Sequence, residues 1–299
     1  MIGYIVCGAV ACAAVLCIAF SQRLKLRRYD IPTDKLNGGL RIVQISDLHD
    51  CRFGKRQERL IGMVRDASPD LIVLTGDIVN DTPELTARRP ILSPDHPARE
   101  LLDGILPLAP VYMVFGNHED NIAELSELKA ELNELGVKLI GGKRVVLSVR
   151  GQRIELCGID DPRFFGQGKQ KMSLRERIAD DSERTSPSLE RWRLELSGLE
   201  RQNDGSFSVL LSHRPEEYEL YGGFDLTFSG HAHGGQWRLP PIINGVYAPH
   251  QGIFPKHAGG LYKLDKGWHI VSRGLSVRRC PRIFNRPEVC LAVISGDKR

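Results

Sequence analysis

The 299-residue sequence has no C-x-x-C pair, no internal repeat and no low-complexity tract, and its first 20 residues hold no Asp, Glu, Lys or Arg. The seven cysteines follow no framework spacing: Cys7, Cys12 and Cys17 fall in the charge-free segment, and Cys51, Cys157, Cys280 and Cys290 are scattered. An odd, unpatterned set argues against a disulfide scaffold and suits a reducing compartment. Hydrophobic residues make up 41% and charged residues 26%, which is ordinary globular usage. That excludes a disordered, collagen-like or coiled-coil chain and a multi-span membrane protein. The length fits one large domain whose core is sufficient without disulfides.

The missing charge at the amino terminus bears on topology. An apolar run of about 20 residues can span a bilayer core of roughly 30 Å as a helix. The next eight residues hold Arg23, Lys25, Arg27 and Arg28 and no acid, and these four account for the whole net charge of +4. Basic residues after an apolar run favour a cytoplasmic placement of that flank, whereas a secretory signal carries its charge before the run. The expectation is a single-pass membrane protein: residues 1–22 a transmembrane anchor touching membrane lipids, residues 23–39 a basic flank and linker ending in Asn37-Gly38-Gly39, and a cytoplasmic body over 40–299. A cleaved signal is the alternative, since Ala9, Ala11 and Ala13 offer small-residue spacing.

The body then alternates. Leu40–Ser46, Leu71–Thr75, Val111–Phe115 and Val137–Ile140 read as short buried strands. Arg56–Ala67 and Ile122–Leu135 carry apolar residues at helical spacing. This β-α-β order predicts a mainly parallel sheet with helices packed on it. In the second half, Val145–Val149 and Ile154–Cys157 flank Gly151-Gln152 as a hairpin. Phe207–Leu211, Leu226–Phe228, Leu261–Leu264, His269–Val271 and Val289–Ile294 are further strands, which fits a second sheet packed on the first. Residues 161–206 form a charged insertion with a helix over Leu189–Leu199, either a lid or a simple insertion.

Polar motifs follow directly on five of these strands: Asp47-Leu48-His49, Gly76-Asp77, Gly116-Asn117-His118-Glu119, His213, and Gly230-His231-Ala232-His233. Sites in open α/β sheets form at the carboxyl ends of strands. A lone histidine there is usually a satisfied polar residue, but five such ends offer two Asp, one Asn and several His, enough for two adjacent metals. With no thiolate in the set, a structural tetrahedral zinc is disfavoured. Mixed oxygen and imidazole ligands suit Mn, Fe or Zn.

The ordered set resembles the calcineurin-like metallophosphoesterases, and the extended run His231-Ala232-His233-Gly234-Gly235-Gln236, with Arg282-Ile283-Phe284-Asn285-Arg286-Pro287-Glu288, is similar to their membrane-associated bacterial subgroup. The resemblance implies a four-layer α-β-β-α sandwich of two mixed sheets flanked by helices, here preceded by one transmembrane helix. It also implies two divalent metal ions. Asp47, His49 and His233 would hold one of them. Asn117, His213 and His231 would hold the other, His231 through either its ring or its backbone. Asp77 would bridge both, and His118 would protonate or stabilise the leaving oxygen. Where the family commonly has an Asp three residues after the bridging one, this chain has Asn80, followed by Asp81, which puts only a loop-positioning role in question.

The implied activity is hydrolysis of a phosphodiester or diphosphate in a phosphorylated small molecule or lipid-linked substrate. Some relatives of this kind cleave UDP-2,3-diacylglucosamine in lipid A biosynthesis. A nuclease of the same superfamily is the alternative, but nucleic acid needs a cationic footprint and the chain is formally neutral once the four basic residues of 23–28 are set aside. A non-catalytic binding protein would be expected to lack ligands that are present here. Outside the motifs, Asp50 reads as a solvated loop acid or a group steering an imidazole. His96, His250, His257 and His269 read as surface or core residues, with His250 or His257 able to line the cleft. Arg273, Arg278, Arg279, Arg282 and Arg286 form either a phosphate-binding cluster or surface ion pairs.

Overall fold

The computed structural model describes residues 4, 12, 15–80, 90–166, 187–199, 205–277 and 281–296. Two six-stranded mixed sheets dominate it. In the first the strand order is β1 (Lys25–Thr33), β14 (Glu288–Gly296), β2 (Leu40–Ile45), β3 (Leu71–Thr75), β4 (Val111–Val114) and β5 (Lys138–Leu139). In the second it is β12 (Gly260–Lys263), β13 (Trp268–Val271), β9 (Leu226–Ser229), β8 (Phe207–Ser212), β7 (Gln152–Ile159) and β6 (Lys143–Val149). Strands β2 to β5 are mutually parallel, as are β7, β8, β9 and β13. A two-stranded ribbon, β10 (Tyr247–Ala248) with β11 (Gly252–Ile253), stands apart.

The central strands are apolar on both faces, as parallel strands covered on both sides must be. The period of two then sorts their side chains. Leu71, Val73, Tyr112 and Val114 meet Leu156, Val209, Leu211 and Phe228 of the second sheet in one core. The alternate residues Ile72, Leu74, Val111 and Met113 pack under helices α1 (Glu58–Asp66), α2 (Pro97–Ile105) and α3 (Leu125–Leu135). On the far side, Cys157, Ile159 and Leu210 pack against Trp192 and Leu196 of α4 (Pro187–Gly198). The mixed sheets flanked by helices are therefore as expected. The rest of the 161–206 insertion lies largely outside the described residues.

Two expectations for the amino terminus are corrected. No helix among the described residues is long and apolar enough to cross a membrane. The transmembrane helix and the single-pass membrane placement with a cytoplasmic body are therefore withdrawn. Nor is the basic flank a linker: Lys25–Thr33 pairs in parallel with β14 over nine residues as an edge strand. Two of the four charges that suggested topology form ion pairs in the fold. Arg27 Nε lies 2.5 Å from Glu288 Oε2, and Arg28 Nη2 lies 2.6 Å from Asp30 Oδ1. Charged residues on an edge strand also block sheet-to-sheet association, so their count alone carries no topological information.

Candidate metal centre

Five strand ends converge where the carboxyl edges of the two sheets meet. What brings the side chains together is an unusual backbone. Asp47, His49, Asp77, His231 and His233 all have φ between 45° and 66°. Asp and His tolerate the left-handed region better than most residues, and such conformations persist where the surroundings over-determine them. Here His49 N donates to Asp77 O, Asp47 N to Gly76 O, and His231 N to Asp47 Oδ1, the three bonds each 3.0 Å long. Each loop is thus held by the next. Gly76, at φ +91°, permits one close approach: a Cβ there would lie 2.5 Å from Gly116 N and 2.6 Å from His213 Nδ1.

The predicted ligands gather into two donor groups. In each of Asp47/His49/His233 and Asp77/His213/His231, one ligand atom per residue lies within 4.8 Å of the others. Asp77 touches both: its Oδ2 is 3.5 Å from His49 Nε2 and 3.3 Å from His213 Nε2. His213 Nδ1 lies 2.7 Å from Thr75 O, which fixes it as the donor and turns Nε2 inward. That Nε2 lies 3.2 Å from Asn117 Oδ1 and 3.1 Å from His231 Nδ1. His118 N donates to Asp77 Oδ1 at 2.9 Å, and the His118 ring stands edge-on to His49 at 4.6 Å. All eight predicted residues are therefore in one place. His118, read as a non-ligand, also lies within reach of His49 and Asp77.

The electrostatics suit a cation. Burial opposes charge on His213, but Asp77, Asp47 and Asp161 outweigh it and push the ring up to about 10. Burial likewise opposes ionisation of Asp77, yet His213, His118 and His49 hold it well below the usual carboxylate range. The centre retains positive charge beside Asp77 as a proton where a metal would sit. Burial keeps His231 and His233 neutral, with lone pairs available. His231 Nε2 is buried with no hydrogen-bond partner among the described residues. Paired imidazole nitrogens facing a carboxylate oxygen fit divalent ions of the Mn, Fe or Zn kind.

Several residues acquire roles that the sequence did not disclose. The Glu119 carboxylate accepts the backbone N–H groups of Asp77, Ile78, Val79 and Gly116 at 2.7–3.1 Å, clamping the Gly-Asp loop to the Asn-His turn. Its position three residues after Gly116, at the start of a helical turn, was the available signal. Asp50 is buried rather than solvated; it accepts Asn80 N at 3.3 Å and faces His96 Nε2 at 3.3 Å. The imidazole it steers is thus not a predicted ligand. His250 does line the centre, stacked on His231 at 5.2 Å, whereas His257 and His269 lie in an aromatic cluster with Tyr262. Arg273 and Arg282 are buried, not surface pairs. Arg282 donates to Ser276 O and Arg273 O at 2.7 and 2.8 Å, bracing the segment whose Ser276 N binds Asp47 O. Arg278, Arg279 and Asp81 lie outside the described residues.

The fold and the donor groups together define a metal-dependent phosphoester hydrolase. The chain belongs to the calcineurin-like phosphoesterase family, whose sequence pattern matches residues 40–235. It is 27% identical over 271 residues to the uncharacterized metallophosphoesterase YkuE of Bacillus subtilis, covering 86% of this chain and 80% of that one. It is 26% identical over 259 residues to the phosphodiesterase YaeI of Escherichia coli, covering 84% and 80%. Among solved structures, a dimetal phosphatase from Danio rerio overlaps with a TM-score of 0.44 at 12% identity, covering 80% of this chain and 88% of that one.

Proposed function

We propose that the chain hydrolyses a phosphodiester or diphosphate bond using two divalent cations. The observation that carries this reading is the single oxygen of Asp77 set between His49 and His213, a carboxylate shared by two donor groups. Asp47, His49 and His233 would hold one cation, Asn117, His213 and His231 the other, and Asp77 would serve both. Such a pair supplies neutralising charge for the phosphoryl oxygens and a more acidic water. The chain's own residues do the rest. His118, half-buried at the mouth and anchored through its N–H to Asp77, gives a proton to the leaving oxygen. Glu119 keeps Asp77 and Asn117 in register by gripping both loops.

The substrate reading is a phosphodiester or diphosphate with an apolar substituent, as in a lipid-linked compound such as UDP-2,3-diacylglucosamine. Its support is the surface next to the donors. The segment after His233 exposes Trp237, Leu239, Tyr247, Ile242 (79% exposed), Ile253 (71%) and Phe254 (66%). His250 of the same segment stacks on His231, so this apolar rim starts at the centre. The chain's formal neutrality outside residues 23–28 disfavours nucleic acid.

The test is a hydrolysis panel with manganese-loaded protein: bis-p-nitrophenyl phosphate, a phosphomonoester, UDP-diacylglucosamine and single-stranded DNA. Turnover of the diester and of the acylated diphosphate is expected. Activity on DNA alone overturns the substrate reading, and undiminished activity in Asp77→Ala overturns the two-cation reading.

A further inference from the structure

The end of β7 supplies no ligand, yet it is bonded to two strand ends that do. Phe115, two residues before Asn117, is held at both backbone groups. Its N–H donates to Asp160 Oδ1 at 2.8 Å, and its carbonyl accepts the Asp161 N–H at 3.0 Å. The Asp161 side chain turns to the other ligand loop. Its Oδ2 lies 2.5 Å from Nε of Arg214 and its Oδ1 3.0 Å from Nη2, a two-point contact with the residue that follows His213. Asn117 follows a strand of the first sheet and His213 a strand of the second, and Asn117 Oδ1 meets His213 Nε2 at 3.2 Å. The path from Asn117 through Phe115, Asp161 and Arg214 to His213 closes a ring around that meeting without using a donor atom.

The pair is itself seated. Arg214 Nη1 donates to Glu216 Oε1 at 3.2 Å, and the Arg214 carbonyl accepts the Tyr221 hydroxyl. Helix α4 of the charged insertion reaches both ends: Trp192 Nε1 donates to Asp160 O at 2.8 Å, and Arg193 Nη2 to Glu217 Oε2 at 3.0 Å. Stability alone does not account for the pair. Asp161 and Arg214 are both buried, and a buried ion pair is often no more stable than well-packed apolar residues in its place. What a two-point guanidinium–carboxylate contact adds is direction: it fixes the end of β4 relative to the end of β8. We infer that Asp161 and Arg214 are positioning residues for the cation assigned to Asn117, His213 and His231, and that their contact sets how far Asn117 stands from His213. Arg214 acts through the ligand beside it, and Asp161 through Phe115. This role rests on the two-cation reading above.

The experiment measures manganese binding to metal-stripped protein by calorimetry, and the paramagnetic resonance of the coupled pair, for wild type, Arg214→Lys and the double variant Asp161→Leu with Arg214→Met. Arg214→Lys keeps the charge and loses the fork; the double variant replaces the pair with apolar side chains. Wild type is expected to bind two equivalents. In both variants one ion weakens by about 10- to 100-fold, the range found for residues that orient ligands, while the other, the one weakened in His233→Ala, is unchanged. At saturating manganese the coupled signal differs from that of wild type, because the spacing of the ions has changed. Melting of the metal-free proteins separates a structural role: the double variant is expected to melt near wild type, so its loss of one ion reports position and not unfolding. Wild-type binding of both ions by either folded variant overturns the inference. So does equal weakening of both ions, which a general loosening of the fold would produce. Should neither variant fold, Trp192→Phe decides, since it keeps a buried ring and removes the N–H donated to Asp160: the same single ion weakens, or the inference fails. Fewer than two equivalents in wild type would instead reject the two-cation reading.

Discussion

The two donor groups are held very differently. Asp77, His213 and His231 are all buried, and each is secured from a separate strand end: Asp77 by Glu119 and His118, His213 by Thr75, His231 by Asp47. In the other group Asp47 and His49 are buried, but His233 keeps 18% of its side chain exposed, and its Nε2 stands 3.7 Å from Asp47 Oδ1. One group is built into the seam between the sheets; the other is closed by a residue that is only partly exposed. The deep group is thus as much part of the fold as of the chemistry, and the shallow group belongs mainly to the chemistry.

The largest test removes what the two groups share. Asp77→Ala is expected to lose both cations and to lower kcat/KM by about 1000-fold or more, since charge neutralisation by the metals is worth several kcal/mol. Metal analysis showing that one full equivalent survives would mean that the groups are independent. His118→Ala should lower turnover by about 100-fold or more while metal content stays near wild type. Loss of metal in that variant would make His118 a ligand of the shallow group instead of a proton donor.

A smaller effect separates depth from chemistry. His213→Ala removes a buried hydrogen bond to Thr75 O and should destabilise even metal-free protein by about 1–3 kcal/mol in a denaturant titration. His233→Ala should leave that stability within about 0.5 kcal/mol, although each variant weakens metal binding. Equal destabilisation would erase the distinction. The last effect is invisible at neutral pH. Burial opposes ionisation of Asp161 behind the deep group, but Arg214 outweighs it and holds the carboxyl below its ordinary 3.8. A depressed folded-state pKa means that the stability from this pair is present above about 3.8 and is lost as pH falls through the lower folded value. Melting of metal-free protein should therefore drop steeply only below that point, and Asp161→Asn should flatten that part of the curve.

Much of this was legible in the residues. Central strands such as Leu71–Thr75 announce themselves because both faces are covered, and the polar motifs at their ends stand out against that apolar background. The edge strand Lys25–Thr33 did not, because its charged residues satisfy solvent and Glu288 rather than a core, so it reads as a linker beside an apolar run. Helix Pro97–Ile105 was hidden behind a stretch rich in proline and aspartate; its start is set by His96, whose Nδ1 accepts Ala98 N. Glu119 escaped for a different reason. Its grip on the Gly-Asp loop exists only once distant loops meet, and its spacing from Gly116 announces only the helical turn, not that meeting.

The approach of Gly76 to Gly116 and His213 has a mechanical consequence. Asp77 hangs from one side of this joint and His213 from the other, and the gap between them is set by an atom that is not there. A methyl group at residue 76 would act as a wedge against Gly116 N and the His213 ring, displacing that ligand as it prised the two sheet edges apart. Gly116 and Gly230 leave similar clearances beside Asp77 and Asp47, so the bore of the centre, and with it the ion size that seats without slack, is machined by what glycines leave out.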